Sequence, residues 1–449
     1  MGSRLTDSAA YAHLWGTDHA RAIFDDDARV QTWLDVLVAL AHAQAELGII
    51  PPASAEAIAI CAHVHQLDLN FVASETRRTS HSTLGLINGL KQILPAHAAE
   101  HVYYGVTVQD VTDTATSLAM RRTAFLVERD LRSILASLAN LADTHSATAM
   151  AGRTHGQPGA PITFGLKASS WADELARHLE RLTEGASRWF VGQLGGAVGT
   201  LGFFGTDAPA LRASFCARLG LADPGISWTA SRDRGAEFTH LLAMITATLA
   251  RIGNEVMELQ RPEIGELRES TTADAVGSIT MPHKRNPERG EHLDTLARIV
   301  RSQSAVMLEA MVQLHERDGR GWKAEWFALP EVCLLTCTAV KMARELIDGL
   351  EVDVARMARN IAASSGHLSS ERLLSALAPK LGKHVAQAKL QVLLAEAQQS
   401  QQSLADAVVA AGLLTAQQAA ACVAETNAPL ASHDVTATIA RVRSLLART

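Results

Sequence analysis

Residues 233–260 read DRGAEFTHLLAMITATLARIGNEVMELQ, and this stretch decides the fold class of the chain. Its apolar side chains recur every three or four residues over more than four helical turns, at Leu241, Ile245, Leu249, Ile252, Val256 and Leu259. Pro262 follows, and proline is disfavoured inside a helix because it lacks a backbone N–H. The spacing predicts a long α-helix that buries one stripe against its neighbours.

Three further stretches repeat this pattern, namely residues 28–48, 162–190 and 291–313. Alternating patterns typical of β-strands are nearly absent. Long helices with this spacing pack side by side, so the sequence predicts an all-α fold built around a helical bundle. Shifts in composition divide the chain into an N-terminal helical domain (1–103), a central bundle (104–350) and a C-terminal helical domain (351–449).

The composition excludes several classes of protein. Of the 449 residues 47% are hydrophobic but only 4% aromatic, so we expect an aliphatic core. The net charge of −6 argues against a nucleic-acid partner or a polybasic membrane anchor. No signal-peptide core and no stretch apolar enough to span a bilayer is predicted. The cysteines are few and scattered, which favours reduced thiols in a cytoplasmic protein and no metal cluster: Cys61, Cys216, Cys333, Cys337 and Cys422.

Three polar segments interrupt the bundle, and each is predicted to lie at the start of a long helix. They are residues 103–114 (YYGVTVQDVTDT), 152–158 (GRTHGQP) and 277–287 (GSITMPHKRNP). Exposed N–H groups at a helix N-terminus, with hydroxyls such as those of Thr107 and Thr154, suit an anion. A simpler interpretation exists for each segment taken alone. Thr107, Gln109 and Asp110 form an acceptable helix cap, and an isolated His155 or Ser278 needs no functional role.

The segment 277–287 concentrates reactive groups in a predicted mobile loop with one stiff end. Gly277 gives backbone freedom, whereas Pro282 and Pro287 restrict the residues before them. The loop offers a hydroxyl, an imidazole, an ammonium, a guanidinium and a carboxamide, a set that suits clamping an anionic substrate and moving a proton. The glycine-rich run 195–200 (GGAVGT) follows no predicted strand, and we interpret it as a tight passage between helices rather than a phosphate-binding loop.

At these residues the chain resembles the fumarase/aspartase superfamily. Residues 277–287 match its signature Gly-Ser-x-x-Met-Pro-x-Lys-x-Asn-Pro, and the likeness is strongest between residues 101 and 331. The runs 231–234 (SRDR), 263–266 (EIGE) and 315–318 (HERD) resemble the branch that holds adenylosuccinate lyase and 3-carboxy-cis,cis-muconate cycloisomerase. The resemblance implies a three-domain fold whose long helices form a core of about 20 helices in a homotetramer, with each site shared by three subunits.

The resemblance also implies a reaction and roles for individual residues. Ser278 would be the general base, and His155 the general acid, oriented by Glu291. The superfamily removes a proton beside a carboxylate and expels a group from the next carbon, without a metal or an organic cofactor. Small dicarboxylates are the implied substrates. The implied substrate-binding residues are Thr107, Gln109, Asp110, Thr154, Gln157, Lys284, Asn286, His81, Arg234 and Trp326.

Departures from the family pattern bear on the substrate. Val108 and Ile279 stand where relatives have serines, and Trp326 stands where adenylosuccinate lyases carry an arginine that holds the nucleotide phosphate. Without that guanidinium, adenylosuccinate is disfavoured as the substrate, because its phosphate lacks a bidentate partner. Trp322 and Trp326 either line a pocket for an apolar or planar group or pack within the bundle.

Four functions remain open. Glu291 and His81 favour a lyase that cleaves C–N or C–O and releases fumarate from a succinyl-bearing or N-substituted aspartate-type substrate. The run 322–326 (WKAEW) resembles the cycloisomerases. An adenylosuccinate lyase and a non-catalytic structural protein of the same fold are remoter alternatives.

Overall fold

Helices dominate the structure, a computed structural model that describes residues 4–271, 276–364, 366–426 and 432–448. The α-helices are α1 Asp18–Phe24, α2 Asp26–Glu46, α3 Pro52–Cys61, α4 Leu69–Thr79, α5 Leu84–Ile93, α6 Ala96–Ala99, α7 Val108–Thr144, α8 Phe164–Trp189, α9 Ala208–Arg218, α10 Asp233–Gln260, α11 Glu288–Glu309, α12 Gly319–Asp348, α13 Val354–Ala362, α14 Ser370–Leu381, α15 Lys383–Ser400, α16 Leu404–Ala410, α17 Ala416–Thr426 and α18 Ser432–Leu446. Short 3-10 helices cover Leu5–Asp7, Ala12–Leu14, Val64–Gln66, Gly202–Asp207 and His367–Ser369. The strands are β1 Ala149–Thr154, β2 Gln157–Thr163, β3 Leu267–Arg268 and β4 Glu351–Val352. The predicted all-α class is confirmed.

The chain divides into two compact units, each assembled from three segments. Unit 1 comprises Met1–Asp130, His178–Ala247 and Thr295–Lys341. Unit 2 comprises Leu131–Arg177, Thr248–Asp294 and Met342–Thr449. The three domains expected from composition remain a prediction.

The predicted long helices form close to their expected positions. Helix α10 covers 233–260 as predicted, and α8 begins at Phe164 and ends at Trp189. Helix α2 begins at Asp26 because the Asp25 carboxylate accepts a hydrogen bond from the Ala28 N–H at 2.7 Å. Helix α11 ends at Glu309, four residues earlier than predicted, and the chain then turns toward Asp318, whose carboxylate accepts from the Leu314 N–H at 3.2 Å.

Unit 1 has an aliphatic core, as the composition indicates. One cluster joins α2, α3, α5 and α9, and includes Leu34, Leu40, Leu90 and Leu211, all at most 2% exposed. Burying each leucine contributes about 1.5–3 kcal/mol. Unit 2 has a smaller cluster in α14 to α17, centred on Leu373, Leu377, Leu404 and Val408.

Helices α10 and α11 approach each other closely in unit 2 at a pair of glycines. A Cβ added to Gly253 would lie 3.2 Å from the Gly290 Cα, and one added to Gly290 would lie 2.8 Å from the Gly253 oxygen. Larger residues at either position would push the helices apart. The contact fixes the start of α11, which directly follows the 277–287 loop.

Helix α12 corrects one expectation from the sequence. By length and composition it could cross a membrane, since its most apolar window reaches a mean hydropathy of 1.3. In the structure 67% of that window is buried inside the protein, as in the core helix of a globular fold.

Candidate active site

The first polar segment begins α7 in unit 1 and is held by one buried carboxylate. Asp110 accepts hydrogen bonds from the backbone N–H groups of Thr107 (2.9 Å), Gly195 (2.8 Å) and Gly196 (3.0 Å). The Gln193 side-chain amide adds a longer bond of 3.4 Å. The contact with Thr107, three residues earlier, is a helix cap of the kind considered from the sequence. Burial raises the pKa of the Asp110 carboxyl to about 6, against the opposing effect of the N–H donors.

This arrangement also explains the glycine-rich run. The N–H groups of Gly195 and Gly196 bind the protein's own carboxylate, so they are not free to bind a ligand phosphate. The interpretation of this run as a structural passage agrees with that geometry. Asp110 therefore positions the segment, and direct contact between its carboxylate and a substrate stays a prediction.

Gln109 connects the segment to a buried ionic cluster in unit 1. Its Nε2 donates to the Asp113 carboxylate at 3.2 Å and to the Thr229 carbonyl at 3.4 Å. Its Oε1 is buried and has no hydrogen-bond partner among the described residues. Such an acceptor carries a desolvation cost of about 1–3 kcal/mol unless a donor reaches it. The predicted contact of Gln109 with substrate remains untested.

The ionic cluster itself was not predicted. The Arg232 guanidinium bonds both Asp113 (2.8 and 3.2 Å) and Glu325 (2.8 Å from Nε), and all three side chains are almost fully buried. Trp322 Nε1 donates to Asp113 at 3.1 Å. Breaking a buried pair of this kind costs about 3–5 kcal/mol. Arg232 stood in a motif that supported the resemblance, but its partners lie 93 and 119 residues away in sequence.

A cavity of about 390 Å³ adjoins this cluster within unit 1. Its walls combine aromatic rings with hydroxyls and the two carboxylates of the cluster, and include Phe24, Trp33, Thr76, Ser82, Asp113, Glu325 and Trp326. Trp326 lines this cavity and is 41% exposed, whereas Trp322 is 7% exposed and packs edge-on against it at 4.5 Å between ring centroids. Of the two interpretations of the tryptophan pair, the pocket wall fits Trp326, and packing fits Trp322.

The other predicted residues of unit 1 have local roles. His81 Nδ1 accepts from the N–H groups of Thr83 (3.4 Å) and Leu84 (3.2 Å), at the start of α5. Because those groups can only donate, a neutral His81 ring carries its proton on Nε2. Arg234 donates to the Arg188 carbonyl, and its Nε has no partner among the described residues. Neither contact tests substrate binding.

The second polar segment corrects the expectation of a helix N-terminus. Residues 149–163 form the β1–β2 hairpin, and α8 begins only at Phe164. His155 and Gly156 occupy its two-residue turn with φ of 54° and 74°, between the paired Thr154 and Gln157. Both turn residues have a left-handed backbone conformation, as in type I′ hairpin turns. His155 is therefore presented at an exposed turn, flanked by Thr154 and Gln157, rather than at a helix end.

A buried ion pair anchors this turn within unit 2. Arg153 Nη1 and Nη2 donate to the two Glu266 oxygens at 2.8 and 2.7 Å. Asn360 of α13 adds a bond to Glu266 at 2.8 Å and one to the Ile264 carbonyl at 2.9 Å. Arg153 precedes Thr154 and His155 directly, so this clamp fixes where the turn begins. Both ion-pair partners were in segments singled out from the sequence, but the pairing itself was missed.

The third segment, residues 277–287, is a loop held closed by hydrogen bonds between its own residues. Ser278 Oγ accepts from the Met281 N–H (3.1 Å), and Asn286 Nδ2 donates to the Gly277 carbonyl (3.0 Å). The Lys284 N–H donates to the Met281 carbonyl at 2.9 Å, and its side chain is exposed. A Cβ on Gly277 would lie 2.3 Å from the Lys284 oxygen, so only glycine fits there. Ser278, Lys284 and Asn286 thus share one closed loop.

Helix α11 follows this loop and carries Glu291 in its first turn. The Glu269 carboxylate accepts from the N–H groups of Arg289 (3.1 Å) and Gly290 (2.8 Å), which are left without partners within the helix. Burial raises the pKa of Glu269 despite these donors. Glu269 is 4% exposed and was not predicted as a functional residue; it fixes the helix start and hence the place of Glu291.

The predicted site residues thus fall into two groups. Unit 1 holds His81, Thr107, Gln109, Asp110, Arg234 and Trp326, and unit 2 holds Thr154, His155, Gln157, Ser278, Lys284, Asn286 and Glu291. A common cavity for Ser278, Lys284 and His155 stays a prediction. Within the described ranges no three His, Cys, Asp or Glu side chains are grouped to hold a metal ion.

Comparison with known proteins gives four further findings. A protein-family model described as lyase matches residues 15–301. An N-acetyl-S-(2-succino)cysteine lyase of Dickeya dadantii is 38% identical over 386 residues, which cover 86% of this chain and 85% of that protein. An adenylosuccinate lyase of Methanocaldococcus jannaschii is 36% identical, over 83% of this chain and 81% of that protein. The crystal structure of a 3-carboxy-cis,cis-muconate lactonizing enzyme from Pseudomonas putida matches with a TM-score of 0.91 and 30% identity, covering 98% of this chain and 100% of the other.

Proposed function

The chain belongs to the fumarase/aspartase superfamily of lyases, and we propose that it cleaves a succinyl-bearing or N-substituted aspartate-type substrate by β-elimination, releasing fumarate. The observation that carries the proposal is the closed 277–287 loop. It presents a hydroxyl, an ammonium and a carboxamide within one short segment, at Ser278, Lys284 and Asn286. Small dicarboxylates are the substrates that such a set suits.

Each proposed role follows from the charge changes during elimination. Ser278, as an alkoxide whose Oγ accepts from the Met281 N–H, takes the proton from the carbon beside a carboxylate and becomes a hydroxyl. The loss of that proton places a second negative charge on the carboxylate. Lys284 and Asn286 bind the resulting dianion, and preorganised donors of this kind contribute several kcal/mol. His155, oriented by Glu291, gives a proton to the departing atom. Neither a metal nor an organic cofactor takes part in these steps.

The Dickeya relative extends the choice of leaving group to sulfur. Its name describes a lyase for N-acetyl-S-(2-succino)cysteine, in which a succinyl group is joined to a thioether. We therefore propose C–S cleavage beside the C–N and C–O cleavage inferred from the sequence. A thiolate leaves more readily than an alkoxide, because a thiol, with a pKa of about 8.5, is a much stronger acid than an alcohol. The indole of Trp326, which lines the unit 1 cavity in place of the phosphate-binding arginine of adenylosuccinate lyases, suits a substituent without a phosphate.

The decisive experiment is a fumarate-release assay over a panel of substrates. The panel contains N-acetyl-S-(2-succino)cysteine, N-substituted aspartates and adenylosuccinate, and the product is followed by mass spectrometry. Ser278→Ala should abolish turnover while leaving the circular dichroism spectrum unchanged. Thr280→Ala, an exposed hydroxyl in the same loop, is the control and should stay active. Full turnover by the Ser278 variant would refute the assignment of the base.

A cycloisomerase is the second candidate. The run 322–326 and the likeness to the Pseudomonas putida enzyme favour it. In that reaction the substrate's own carboxylate adds to its double bond. Incubation with 3-carboxymuconate distinguishes the two, since cyclisation removes the diene absorbance. A constant absorbance rejects the cycloisomerase.

Two remoter alternatives have tests of their own. Adenylosuccinate lyase activity requires a phosphate partner in place of the missing arginine at Trp326, with Arg320 or Lys323 as the candidates. A non-catalytic structural protein would bind no dicarboxylate, which calorimetry with fumarate detects.

The proposal includes an assembly and a location. We propose a cytoplasmic homotetramer in which three subunits share each site. Light scattering should give four times the mass of 48.0 kDa. A monomeric mass with full activity would contradict it. Activity should also survive dialysis against a chelator.

A further inference from the structure

We propose that unit 2 carries a separate anion-binding groove that takes a small molecule with two or more carboxylate or phosphate groups. This arginine groove has a volume of about 530 Å³ and is lined by Arg268, His283, Arg285, Arg356 and Arg359, together with Gln260, Pro262, Gly265 and Asp353. None of these is among the predicted catalytic or substrate-binding residues. The groove goes beyond the proposed lyase activity, since it would regulate the loop that bears the base.

The groove carries an excess of positive charge, which favours binding of an anion. Four guanidinium groups line it, against a single carboxylate, that of Asp353. Asp353 Oδ1 already accepts from the Arg356 N–H at 2.7 Å as the cap of α13. The side chains of Arg268, Arg285 and Arg359 have no hydrogen-bond or ion-pair partner in the part of the chain that the structure describes. Like charges gathered in one concave site repel one another and attract an anion.

Arg356 is held in place before any ligand arrives. Its Nε donates to the Ile264 carbonyl at 2.8 Å, and its Nη2 donates to the carbonyls of Pro262 (3.1 Å) and Glu263 (3.0 Å). These carbonyls belong to the turn after α10, which Gly265 closes with a φ of 63°. A fixed guanidinium loses little side-chain entropy on binding, and its planar geometry suits carboxylate or phosphate oxygens.

The groove is physically joined to the 277–287 loop. His283 and Arg285 belong to that loop, and the Arg285 carbonyl accepts from Gln260 Nε2 at 3.5 Å. Gln260 Oε1 in turn accepts from the Glu269 N–H at 2.8 Å. An anion that bridges Arg285 to Arg356 and Arg359 ties the loop to α13. Such a tether restrains Ser278 and Lys284, so we expect a bound anion to lower kcat.

Calorimetry tests the groove without turnover. The Ser278→Ala protein is titrated with citrate, and separately with pyrophosphate, while fumarate is held in excess to fill the proposed substrate site. Citrate binding under these conditions is the expected result, and the pyrophosphate arm separates a carboxylate from a phosphate preference. Arg268→Ala and Arg359→Ala should each weaken binding at least about tenfold. Arg218→Ala removes an exposed arginine of unit 1 that pairs with Glu46, and should leave binding unchanged.

Hydrogen exchange of the peptide spanning 276–287 gives the second readout. Citrate should slow exchange in the unmodified protein but not in Arg359→Ala. The proposal is overturned if citrate gives no heat with fumarate present, or if the arginine variants bind it normally. If those variants bind citrate normally and also change the mass of the assembly, the arginines pair with another copy of the chain instead of binding an anion. Neither measurement needs fumarate release, so this proposal and the lyase proposal fail separately.

Discussion

The carboxylate of Glu266 holds the guanidinium of Arg153 through two hydrogen bonds of 2.8 and 2.7 Å, directly before the turn that bears His155. Glu266 has no exposed side-chain surface, and Arg153 has 16%. The pair therefore belongs to the interior of unit 2, where a charge without its partner is costly. It links the end of β1 to the turn between α10 and β3.

The first prediction concerns this pair. Glu266→Gln should lower the free energy of unfolding by about 3 kcal/mol, because the Arg153 charge stays buried without its counterion. It should also reduce kcat, since the turn with Thr154 and His155 loses its anchor. Urea unfolding and the fumarate assay measure the two effects. The control is Glu258→Gln, in an exposed pair with Arg261, which should cost less than about 0.5 kcal/mol.

If Glu266→Gln has the same free energy of unfolding as the unmodified protein, the Arg153–Glu266 pair does not stabilise the fold. Full stability combined with a large loss of kcat would instead place Glu266 in the chemistry.

The helices were predictable from the sequence because their signal is local. Helix α10 agrees with its predicted bounds, since the apolar period, Asp233 at its start and Pro262 after its end all act within a few residues. The β1–β2 hairpin was missed because Pro158 and Pro161 look like the start of a helix, and residues 149–154 lack alternation. The turn signal was His155-Gly156, since both residue types tolerate positive φ.

The polar contacts that organise the candidate site could not be predicted from the sequence. Arg153 and Glu266 are 113 residues apart, and Arg232 lies 93 residues from Glu325. No local pattern pairs such residues, although the segments that hold them were identified. The arginine groove likewise joins α13, β3 and the loop, and four arginines spread over residues 268–359 do not form a cluster in the sequence.

The second prediction tests the closed form of the loop. Gly277→Ala places a Cβ 2.3 Å from the Lys284 oxygen and 3.3 Å from the Arg285 Cα, so the loop must open. We expect kcat to fall at least about tenfold with little change in Tm, because a small displacement of reacting groups is costly in rate. At Gly319 an added Cβ meets nothing within 4 Å, so Gly319→Ala should keep full activity. Equal activity of both variants would show that the closed loop is not the working form.

The third prediction separates the two tryptophans by the same substitution. Trp322→Phe removes the Nε1–H bond to the buried Asp113 and should cost about 1–2 kcal/mol of unfolding free energy. Trp326→Phe, at a 41% exposed cavity wall, should cost less but raise KM for substrates with a bulky leaving group. Urea denaturation and the substrate panel provide the measurements. The reverse order, with KM governed by Trp322, would remove the unit 1 cavity from the substrate site.

The fourth prediction concerns pH and Asp110. Burial raises the pKa of this carboxyl in the folded protein to about 6, from 3.8. A raised pKa means that the folded state binds the proton more tightly, so the associated stability is complete below about pH 3.8 and is lost as the pH rises through about 6. The difference of about two pH units corresponds to about 3 kcal/mol. Asp110→Asn does not titrate, so subtracting its unfolding free energy at each pH isolates this term. We expect the difference, unmodified protein minus variant, to fall between pH 4 and pH 7. A difference that stays constant between pH 4 and pH 7 would mean that the three backbone N–H donors outweigh burial and keep Asp110 charged throughout this range.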